Sequence, residues 1–178
     1  YSKWIWKNDT VNLFLNHWPS RRGGVLATEK ARMAFADMLK YLADSISTSS
    51  GACSKFIFAG DFNCIPSGNE MKILTDGKSK SYINLSDYLA DRKEGTYRYN
   101  GVWEMLDQII VSNSLFSCNN GIYTSRENIK IIRPGLLLSK DNKYPGYKPF
   151  STYNGYRYQG GFSDHLPVVL DLFYTVNQ

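Results

Sequence analysis

An alternation of apolar and polar side chains predicts two strands at the start of the chain. Residues 1–6 alternate polar with bulky apolar side chains, and Val11, Leu13 and Leu15 recur at every second position, which is the period of a strand. The second strand leads into residues 17–24, HWPSRRGG, where Pro19 and the paired glycines predict a loop.

A helix is predicted after this loop. Thr28 is a plausible N-cap, Glu29 would lie in the first turn, and a Ser/Thr-rich loop over residues 45–51 would end the helix. Apolar residues at spacings of three and four predict one buried stripe, formed by Ala31, Phe35, Met38, Leu42 and Ile46.

Apolar runs predict the remaining elements. They are a strand buried on both faces at 56–59, a loop at 60–67, a short helix at 69–74 that ends near Gly77, and strong strands at 103–111 and 167–174. The stretch 134–162 is rich in Gly, Pro and Tyr and predicts a long loop, which inside a compact domain is usually functional or mobile.

The order of these elements predicts the fold class. Strands that alternate with helices indicate an α/β fold, and late strands joined without clear helices indicate mixed sheets with antiparallel pairs. The 178 residues contain no repeat and no dividing linker, so residues 1–178 are predicted to form a single domain.

Composition and charge restrict the function only coarsely. The chain is 43% hydrophobic and 21% charged, as in ordinary globular proteins, and no apolar run is long enough to predict a transmembrane helix. A formal charge of +5 favours an anionic partner such as a phosphate ester or nucleic acid, although an ordinary basic surface explains it equally well. Three widely spaced cysteines fit neither a disulfide framework nor a zinc site, and they leave the cellular compartment open.

Both histidines of the chain stand at predicted strand ends. His17 follows the second strand, and His165 directly precedes the last one. A lone histidine is more often structural than functional. Both histidines of this chain stand at strand ends, and this favours a functional site, because polar groups at strand ends of an α/β protein converge on the crevice there.

Three further polar residues carry candidate chemistry. Asp61 and Asn63 follow the buried strand at 56–59, where Asp61 could accept a proton from water and Asn63 could donate to a phosphoryl oxygen. A simple turn explains the same residues. Asp107 lies within an apolar strand and needs a cationic or imidazolium partner, so a structural salt bridge is the alternative to a catalytic role.

Four strings together resemble a known family. NHWPSRRGG, FIFAGDFN, GTYRYNGVWEMLDQIIVS and GGFSDHLPV occur in this order from residue 16 to residue 168. They strongly resemble the second, larger part of the endonuclease/exonuclease/phosphatase family, and HWPSRRGG most resembles uncharacterised bacterial members. The resemblance implies part of a deoxyribonuclease I-like four-layer α/β sandwich, with two mixed sheets packed face to face and helices outside.

The resemblance also implies a role for each candidate residue. Asp61 matches the aspartate that activates or orients the attacking water, and Asn63 matches the asparagine that holds the phosphate. His165 matches the histidine at the scissile phosphate, and Asp107 matches the aspartate that orients it. Asp164 matches a carboxylate close to a metal, which we expect to be Mg²⁺ or Mn²⁺.

The loop at residues 17–24 adds three more candidates. His17 matches the deoxyribonuclease-type histidine at the end of its strand, which other members replace by tyrosine. Arg21 and Arg22 are predicted to bind phosphate, on the basis of their charge and position rather than the resemblance.

One expected residue has no counterpart. Members of the family usually carry a metal-binding glutamate on an early strand, and none of the 16 residues before His17 is a glutamate. We therefore expect a piece of a longer gene product in which other residues complete the metal site. Alone, the piece should be nearly inactive and should self-associate through the sheet face left open.

The expected function is metal-dependent hydrolysis of a phosphoester by activated water. The alternative is a non-catalytic module that binds a phosphorylated ligand or a protein, whereas a serine hydrolase is disfavoured because no G-x-S-x-G motif is present. Nucleic acid, inositol or sugar phosphates and phospholipid head groups all stay open as substrates. The five tyrosines of residues 144–158 could stack on bases or sugars, but the sequence favours packing of this loop on itself.

Two geometric predictions follow from these assignments. The residues matched to the family are His17, Asp61, Asn63, Asp107, Asp164 and His165. These six should converge at one end of the sheets. Asp107 should accept a hydrogen bond from a ring nitrogen of His165, since a carboxylate in an apolar strand needs such a partner.

Overall fold

The computed structural model describes residues 1–50, 54–76, 82–117 and 121–175. Cys53, Cys118 and the predicted end of the second helix near Gly77 lie outside the described residues. Cys64 is a free, buried thiol, as predicted for the cysteines, and burial raises its pKa to about 12.

Short elements make up most of the chain. The helices are α1 (Val25–Ser50), α2 (Asn69–Thr75), α3 (Ser86–Ala90) and α4 (Ser114–Ser117), with 3-10 turns at Arg126–Asn128 and Gly135–Leu137. The strands are β1 (Ser2–Trp6), β2 (Asp9–His17), β3 (Lys55–Asp61), β4 (Tyr82–Asn84), β5 (Tyr97–Tyr99), β6 (Val102–Glu104), β7 (Asp107–Ser112), β8 (Gly121–Tyr123), β9 (Ile129–Ile131), β10 (Leu138–Lys140), β11 (Tyr147–Pro149), β12 (Tyr153–Asn154), β13 (Arg157–Tyr158), β14 (Val168–Leu170) and β15 (Phe173–Thr175).

A five-stranded mixed sheet forms the centre of the fold, in the order β1-β2-β3-β7-β4. β2 and β3 are parallel and are joined through α1, whereas the other three pairs are antiparallel. The predicted mixed sheet is confirmed, and the parallel pair places the ends of β2 and β3 at the same edge.

One face of the central sheet packs against α1 and α2. Phe14, Phe56 and Phe58 of the sheet are buried there with apolar residues of both helices. A buried ion pair also joins the two helices, because the Arg32 Nε donates to Glu70 Oε1 at 2.7 Å.

The predicted buried stripe of α1 was largely wrong. The helix buries Arg32, Ala36, Leu39 and Ala43 and partly buries Ile46, whereas Phe35, Met38 and Leu42 are 40%, 50% and 41% exposed. α1 is apolar on two neighbouring faces, so periodicity alone does not identify the inner one. The face that carries two alanines can approach the sheet closely and is the one buried.

The bounds of α1 also differ from the prediction. The helix begins at Val25, and the Thr28 hydroxyl donates to the carbonyl of Gly24 instead of capping the helix. It continues through the Ser/Thr-rich stretch to Ser50. Serine and threonine hydroxyls can bond to the carbonyl four residues earlier, as Ser45 and Thr48 do, so these residues do not by themselves end a helix.

The opposite face of the central sheet packs against a second β layer. Val11, Ile57 and Ile109 of the central sheet share a core with Ile122 and Ile129. This layer consists of two antiparallel pairs, β8 with β15 and β9 with β14. The predicted α/β class with stacked sheets and outer helices is confirmed.

Two predicted strands are each divided in two. Residues 103–111 contain β6 and β7, which are separated by the buried residues Met105 and Leu106, and residues 167–174 contain β14 and β15. In both runs the chain changes its partner strand: β6 pairs with β5 while β7 joins the central sheet. A continuous apolar run carries no signal of such a change of partner.

The stretch 134–162 is structured and is not the long loop that was predicted. It forms two antiparallel hairpins, β10–β11 and β12–β13, after a 3-10 turn. Across the described segments, no helix combines the length and the apolar character needed to cross a membrane.

Candidate active site

Three ionisable residues form a row across neighbouring strands. His17 at the end of β2 is the register partner of Asp61 at the end of β3, and Asp61 is the partner of Asp107 at the start of β7. Register partners project their side chains on the same face of a sheet. The topology therefore brings together residues that lie up to 90 positions apart in sequence. The Nε2 of His17 lies 3.7 Å from Oδ2 of Asp61.

The residue before Asp61 must be a glycine. Gly60 has a φ of +134°, and a Cβ atom there would lie 2.0 Å from the carbonyl oxygen of Asn16 on β2. A side chain would therefore both strain the backbone and clash with the neighbouring strand. The close approach of β2 and β3 at this point keeps His17 beside Asp61.

Asn63 holds the carboxylate of Asp61. Its backbone N–H donates to Asp61 Oδ1 at 2.8 Å, and its Nδ2 donates to Asp61 Oδ2 at 3.0 Å and to the carbonyl of Trp18 at 3.1 Å. Asn63 itself adopts a φ of +51°, a conformation that asparagine tolerates better than most residues. The carboxylate of Asp61 is therefore fixed before any ligand arrives.

His165 meets Asp107 as predicted. The Nδ1 of His165 and Oδ2 of Asp107 are 2.6 Å apart, and the hydroxyl of Thr96 donates to the same carboxylate oxygen at 2.5 Å. Tyr97 packs against the imidazole, with ring centroids 4.9 Å apart. Among the described residues the Nε2 of His165 has no hydrogen-bond partner, so this nitrogen is free for a substrate.

Burial and neighbouring charges shift two pKa values in the site. Burial raises the pKa of Asp61 above its ordinary value, although the N–H of Asn63 and the charges of the histidines oppose this. For His165, burial acts to lower the pKa, but the hydrogen bond to Asp107 and the negative charges of Asp107, Asp61 and Asp164 outweigh it and raise the pKa. Asp61 is thus a better base, and His165 a more persistent cation, than the free side chains.

A cleft of about 990 Å³ opens above this row. All eight residues singled out from the sequence line it: His17, Arg21, Arg22, Asp61, Asn63, Asp107, Asp164 and His165. The predicted convergence of the site is therefore what the structure shows, whereas the roles of these residues stay predictions. The N-terminal end of α1 also reaches the cleft at Val25.

The two arginines differ in what they contact. Arg21 forms a two-pronged ion pair with Glu104, with nitrogen–oxygen distances of 3.2 and 2.5 Å, and the hydrogen bonds that it donates to Glu104 raise its pKa. Arg22 is exposed and has no ion pair among the described residues. Arg22 can therefore meet a phosphate directly, whereas Arg21 would first have to leave Glu104.

The carboxylates of the cleft also differ in their availability to a metal. Ligand atoms of Asp61, Asp107 and His165 lie within 4.8 Å of one another, which would suit an ion. However, Oδ2 of Asp107 already accepts two hydrogen bonds, and one of them comes from Nδ1 of His165. This cluster is better described as an acid–base group than as a metal centre. Asp164 is exposed and, in the described part of the chain, makes no hydrogen bond or ion pair, so its oxygens fit a hard cation such as Mg²⁺ that keeps most of its waters.

Three contributors to the site were missed from the sequence. Thr96 is fully buried and holds Asp107, Glu104 pairs with Arg21, and the hydroxyl of Ser163 accepts the backbone N–H of His165. Thr96 also receives the N–H of Leu166 on its carbonyl, so one residue positions both members of the pair. All three lie within the strings that carry the resemblance, and this was the only signal that could have identified them.

Comparison with known proteins supplies the family. Residues 3–173 match the model of the endonuclease/exonuclease/phosphatase family. The chain belongs to this family. A search of curated proteins found no match.

Solved structures of the family share the fold. The catalytic domain of human nocturnin, with bound sulfate, is 20% identical to this chain. The match has a TM-score of 0.52 and covers 95% of this chain and 49% of the nocturnin chain. A humanized D. rerio TDP2 is 15% identical with a TM-score of 0.57, over 97% of this chain and 58% of its own. A mannosyl-6-phosphatase of Bacteroides thetaiotaomicron is 16% identical with a TM-score of 0.50, over 93% of this chain and 51% of its own. The chain thus spans about half the length of these relatives, and identities this low establish the fold alone.

Proposed function

We propose that the cleft hydrolyses a phosphoester bond with water in the presence of Mg²⁺ or Mn²⁺. The observation that carries the proposal is the row of His17, Asp61 and Asp107 across the sheet, with His165 hydrogen-bonded to Asp107 at 2.6 Å. Together these residues place two groups in one cleft: a base, Asp61, and the imidazole of His165, which can carry a positive charge and whose Nε2 has no partner among the described residues. Membership of a family of phosphoesterases supports the same reaction class.

Each residue then has a chemical task. Asp61 takes a proton from the attacking water as the new phosphorus–oxygen bond forms, and burial favours its acceptance of that proton. His165 in its protonated form donates from Nε2 to a phosphoryl oxygen, because Nδ1 is committed to Asp107. The bond to the leaving oxygen breaks, and that oxygen takes a proton from solvent.

Arg22 and His17, at the edge of the cleft, would assist the reaction. Arg22 can neutralise a non-bridging phosphate oxygen. The Nε2 of His17 lies 3.7 Å from Oδ2 of Asp61, close enough for the two charges to interact when His17 is protonated. Asn63 keeps Asp61 oriented and must give up one of its internal hydrogen bonds to hold the phosphate as predicted. The metal, held at Asp164, would neutralise the charge that develops on the phosphoryl oxygens.

We further propose that a carboxylate outside this chain completes the metal site. Of the cleft carboxylates, Asp61, Glu104 and Asp107 have side-chain partners, and Asp164 is the one without a partner among the described residues. Mg²⁺ binds a single carboxylate weakly because it gives up water reluctantly. The isolated 178-residue chain should therefore bind the metal poorly and turn over slowly.

The experiment compares two proteins. The isolated chain and the gene product that contains it are assayed on a generic phosphodiester, with Mg²⁺, with Mn²⁺ and with a chelator. Metal-dependent turnover by the gene product, abolished in His165→Ala, supports the hydrolase. Robust turnover by the isolated chain would show that its own residues complete the metal site.

A second candidate function is a non-catalytic module that binds a phosphorylated ligand. Among the described residues, Asp164 is the one cleft carboxylate without a partner. This favours a binding module, because a binding site for phosphate needs Arg22 and His165 but no metal. This function predicts phosphate binding that is unaffected by a chelator, with no turnover in either protein.

We also propose that the isolated chain self-associates through β1, the edge strand of the central sheet. Trp4, Ile5 and Trp6 of β1 are 53%, 70% and 60% exposed at this edge. An exposed apolar edge strand readily pairs with another chain. Light scattering after size exclusion should show concentration-dependent association of the isolated chain that Ile5→Lys reduces.

A further inference from the structure

The exposed tyrosines of the chain are concentrated beside the cleft. Of the seven tyrosines that are exposed among the described residues, five belong to hairpins at the cleft or next to it: Tyr99, Tyr147, Tyr153, Tyr156 and Tyr158. For residues 144–158 the sequence favoured packing of the loop on itself. Tyr153 and Tyr158 do pack against each other, but four of the five tyrosines of this stretch, Tyr147, Tyr153, Tyr156 and Tyr158, are between 58% and 104% exposed.

The hairpin β12–β13 presents its rings in a fixed arrangement. Tyr153 and Tyr158 are cross-strand partners with ring centroids 5.5 Å apart, and Tyr156 lies at the tip, where Gly155 has a φ of +59°. A glycine with positive φ at the first position of a two-residue turn is usual for such hairpins. Tyrosines held in this way lose little conformational entropy when they bind a ligand.

Hydrogen bonds connect the base of this hairpin to the loop that carries Asp164 and His165. The N–H of Phe162 donates to the carbonyl of Phe150 at 2.7 Å, and the hydroxyl of Thr152 donates to the carbonyl of Phe162 at 2.6 Å. Phe162 directly precedes Ser163, which lines the cleft with Asp164 and His165. The hairpin therefore extends from the rim of the cleft.

The neighbouring hairpins continue the aromatic surface toward the cleft. β11, which carries Tyr147, packs beside β5, and both Tyr97 and Tyr99 of β5 line the cleft. Arg98, on the other side of β5, fixes this contact by donating to the carbonyls of Pro145 and Tyr147. A ligand that occupies the cleft can thus extend over the rings without leaving the protein surface.

The charge of this region favours an anionic ligand. Residues 134–162 contain four basic side chains, Lys140, Lys143, Lys148 and Arg157, against one acidic side chain, Asp141. Asp141 is already paired with Arg98 at 3.2 Å. The basic excess is therefore not neutralised locally.

We propose that these hairpins bind single-stranded nucleic acid, with bases stacked on Tyr153, Tyr156 and Tyr158 and one phosphate in the cleft. Stacking faces alternate with basic and amide side chains, a combination that fits an unpaired strand because every base has a ring face and every linkage a charge. The polar residues Asn154, Arg157 and Gln159 between the tyrosines disfavour insertion into a lipid bilayer. The inference rests on the proposed function, since it names the substrate class of the same cleft.

The test is a binding measurement in a chelator, so that hydrolysis does not enter. The gene product that contains this chain is titrated against a fluorescein-labelled oligothymidine of 12 nucleotides and followed by fluorescence anisotropy. The variants are Tyr153→Ala and Tyr158→Ala. Each should weaken binding roughly 5- to 150-fold, the range for loss of one base-stacking aromatic ring. Tyr153→Phe and Tyr158→Phe keep the ring and should bind as the parent does.

Two controls separate stacking from other causes. Tyr41→Ala removes a 71% exposed tyrosine of α1, about 24 Å along the helix from Val25, and should leave binding unchanged. An abasic oligonucleotide of the same length carries the same charges without rings and should bind at least tenfold more weakly than oligothymidine. Thermal unfolding of each variant checks that it is folded.

Several outcomes would overturn the proposal. They are equal binding of the abasic oligonucleotide, no effect of either alanine variant, or binding only to vesicles of phosphatidylserine and phosphatidylcholine. Turnover of a small phosphodiester without oligonucleotide binding would reject this surface and keep the hydrolase. Oligonucleotide binding without turnover under any metal would reject the hydrolase instead.

Discussion

The inner wall and the rim of the cleft are organised differently. The inner wall consists of Asp61, Asn63, Asp107 and His165, and the rim consists of His17, Arg22 and Asp164. The side chains of Asp107 and His165 are 22% and 21% exposed and that of Asp61 is 19% exposed, whereas that of His17 is 77% exposed. Every residue of the inner wall has a hydrogen-bond partner of 3.0 Å or less.

The difference indicates which parts of the site are set by folding. Asp61 and Asp107 of the inner wall are register partners on adjacent strands, and Asn63 and His165 hydrogen-bond to their carboxylates, so the geometry of the inner wall is set by the folded chain. Arg22 and Asp164 of the rim lie on loops and make no side-chain hydrogen bond or ion pair with the described residues, and His17, at a strand end, has only the 3.7 Å ion pair with Asp61. Preorganised groups contribute most to catalysis, so substitutions in the inner wall should have the larger effects.

The largest effect is expected from the pair of Asp107 and His165. In the gene product that contains this chain, Asp107→Asn and His165→Ala should each lower kcat by about 10²–10⁴-fold with little change in KM, because general acid–base groups act mainly in the transition state. Steady-state kinetics at saturating metal measure this. Asp171→Asn, which changes an exposed carboxylate paired with Lys130, is the matched control and should not alter kcat. A loss confined to KM would mean that the pair only binds substrate.

A smaller effect is expected at the rim. Asp164→Asn should raise the Mg²⁺ concentration for half-maximal activity by about tenfold or more, since a carboxylate is a far better Mg²⁺ ligand than an amide. Titration of activity with Mg²⁺ measures this shift. Loss of kcat at saturating metal with an unchanged metal requirement would place Asp164 in the chemistry and not at the metal.

Thr96→Val tests whether the inner wall depends on its buried support. The substitution removes the hydroxyl that donates to Asp107 while it keeps the shape of the side chain. We expect kcat to fall about tenfold, because the loss of one hydrogen bond to a charged group costs about 1.5 kcal/mol or more. Thr96→Ser restores the hydroxyl and should recover most of the activity. Equal losses in both variants would show that Thr96 acts only through packing.

The smallest expected effect is a shift in the pH at which His165 titrates. In metal-free protein the protonated form of His165 should persist to higher pH than that of an unperturbed imidazole, because Asp107 and its neighbours raise the pKa of His165. The pair therefore stabilises the fold below the unfolded-state pKa of histidine, and that stability is lost as pH rises through the raised pKa. Asp107→Asn should move the midpoint of the His165 titration to lower pH.

Nuclear magnetic resonance can measure this directly. The chain has two histidines, so the ring resonances are assigned with the single variant His17→Gln. An unchanged His165 midpoint in Asp107→Asn would contradict the proposed cause of the shift.

The sequence predicted more of the site than of the fold around it. His17, Asp61 and Asp107 could be grouped because strand ends and a family motif mark them, and the sheet brings them together as predicted. Thr96 could not be assigned a task, because its contact with Asp107 depends on the hairpin β5–β6 folding back on β7.

The errors in the fold share a physical origin. The inner face of α1 and the division of residues 103–111 into β6 and β7 both depend on the partner that each segment meets. Periodicity reports that a face is apolar, but it does not report what covers that face.

The buried position of Trp18 gives the protein an internal optical reporter. Trp18 is 2% exposed and packs edge-to-face on Phe62 with ring centroids 4.8 Å apart, and its backbone bonds both to Asp61 and to the amide of Asn63. The emission of this indole should therefore be blue-shifted and protected from aqueous quenchers. With the other three tryptophans replaced by phenylalanine, its wavelength would report the integrity of the Asp61 loop in a cuvette, without substrate or metal.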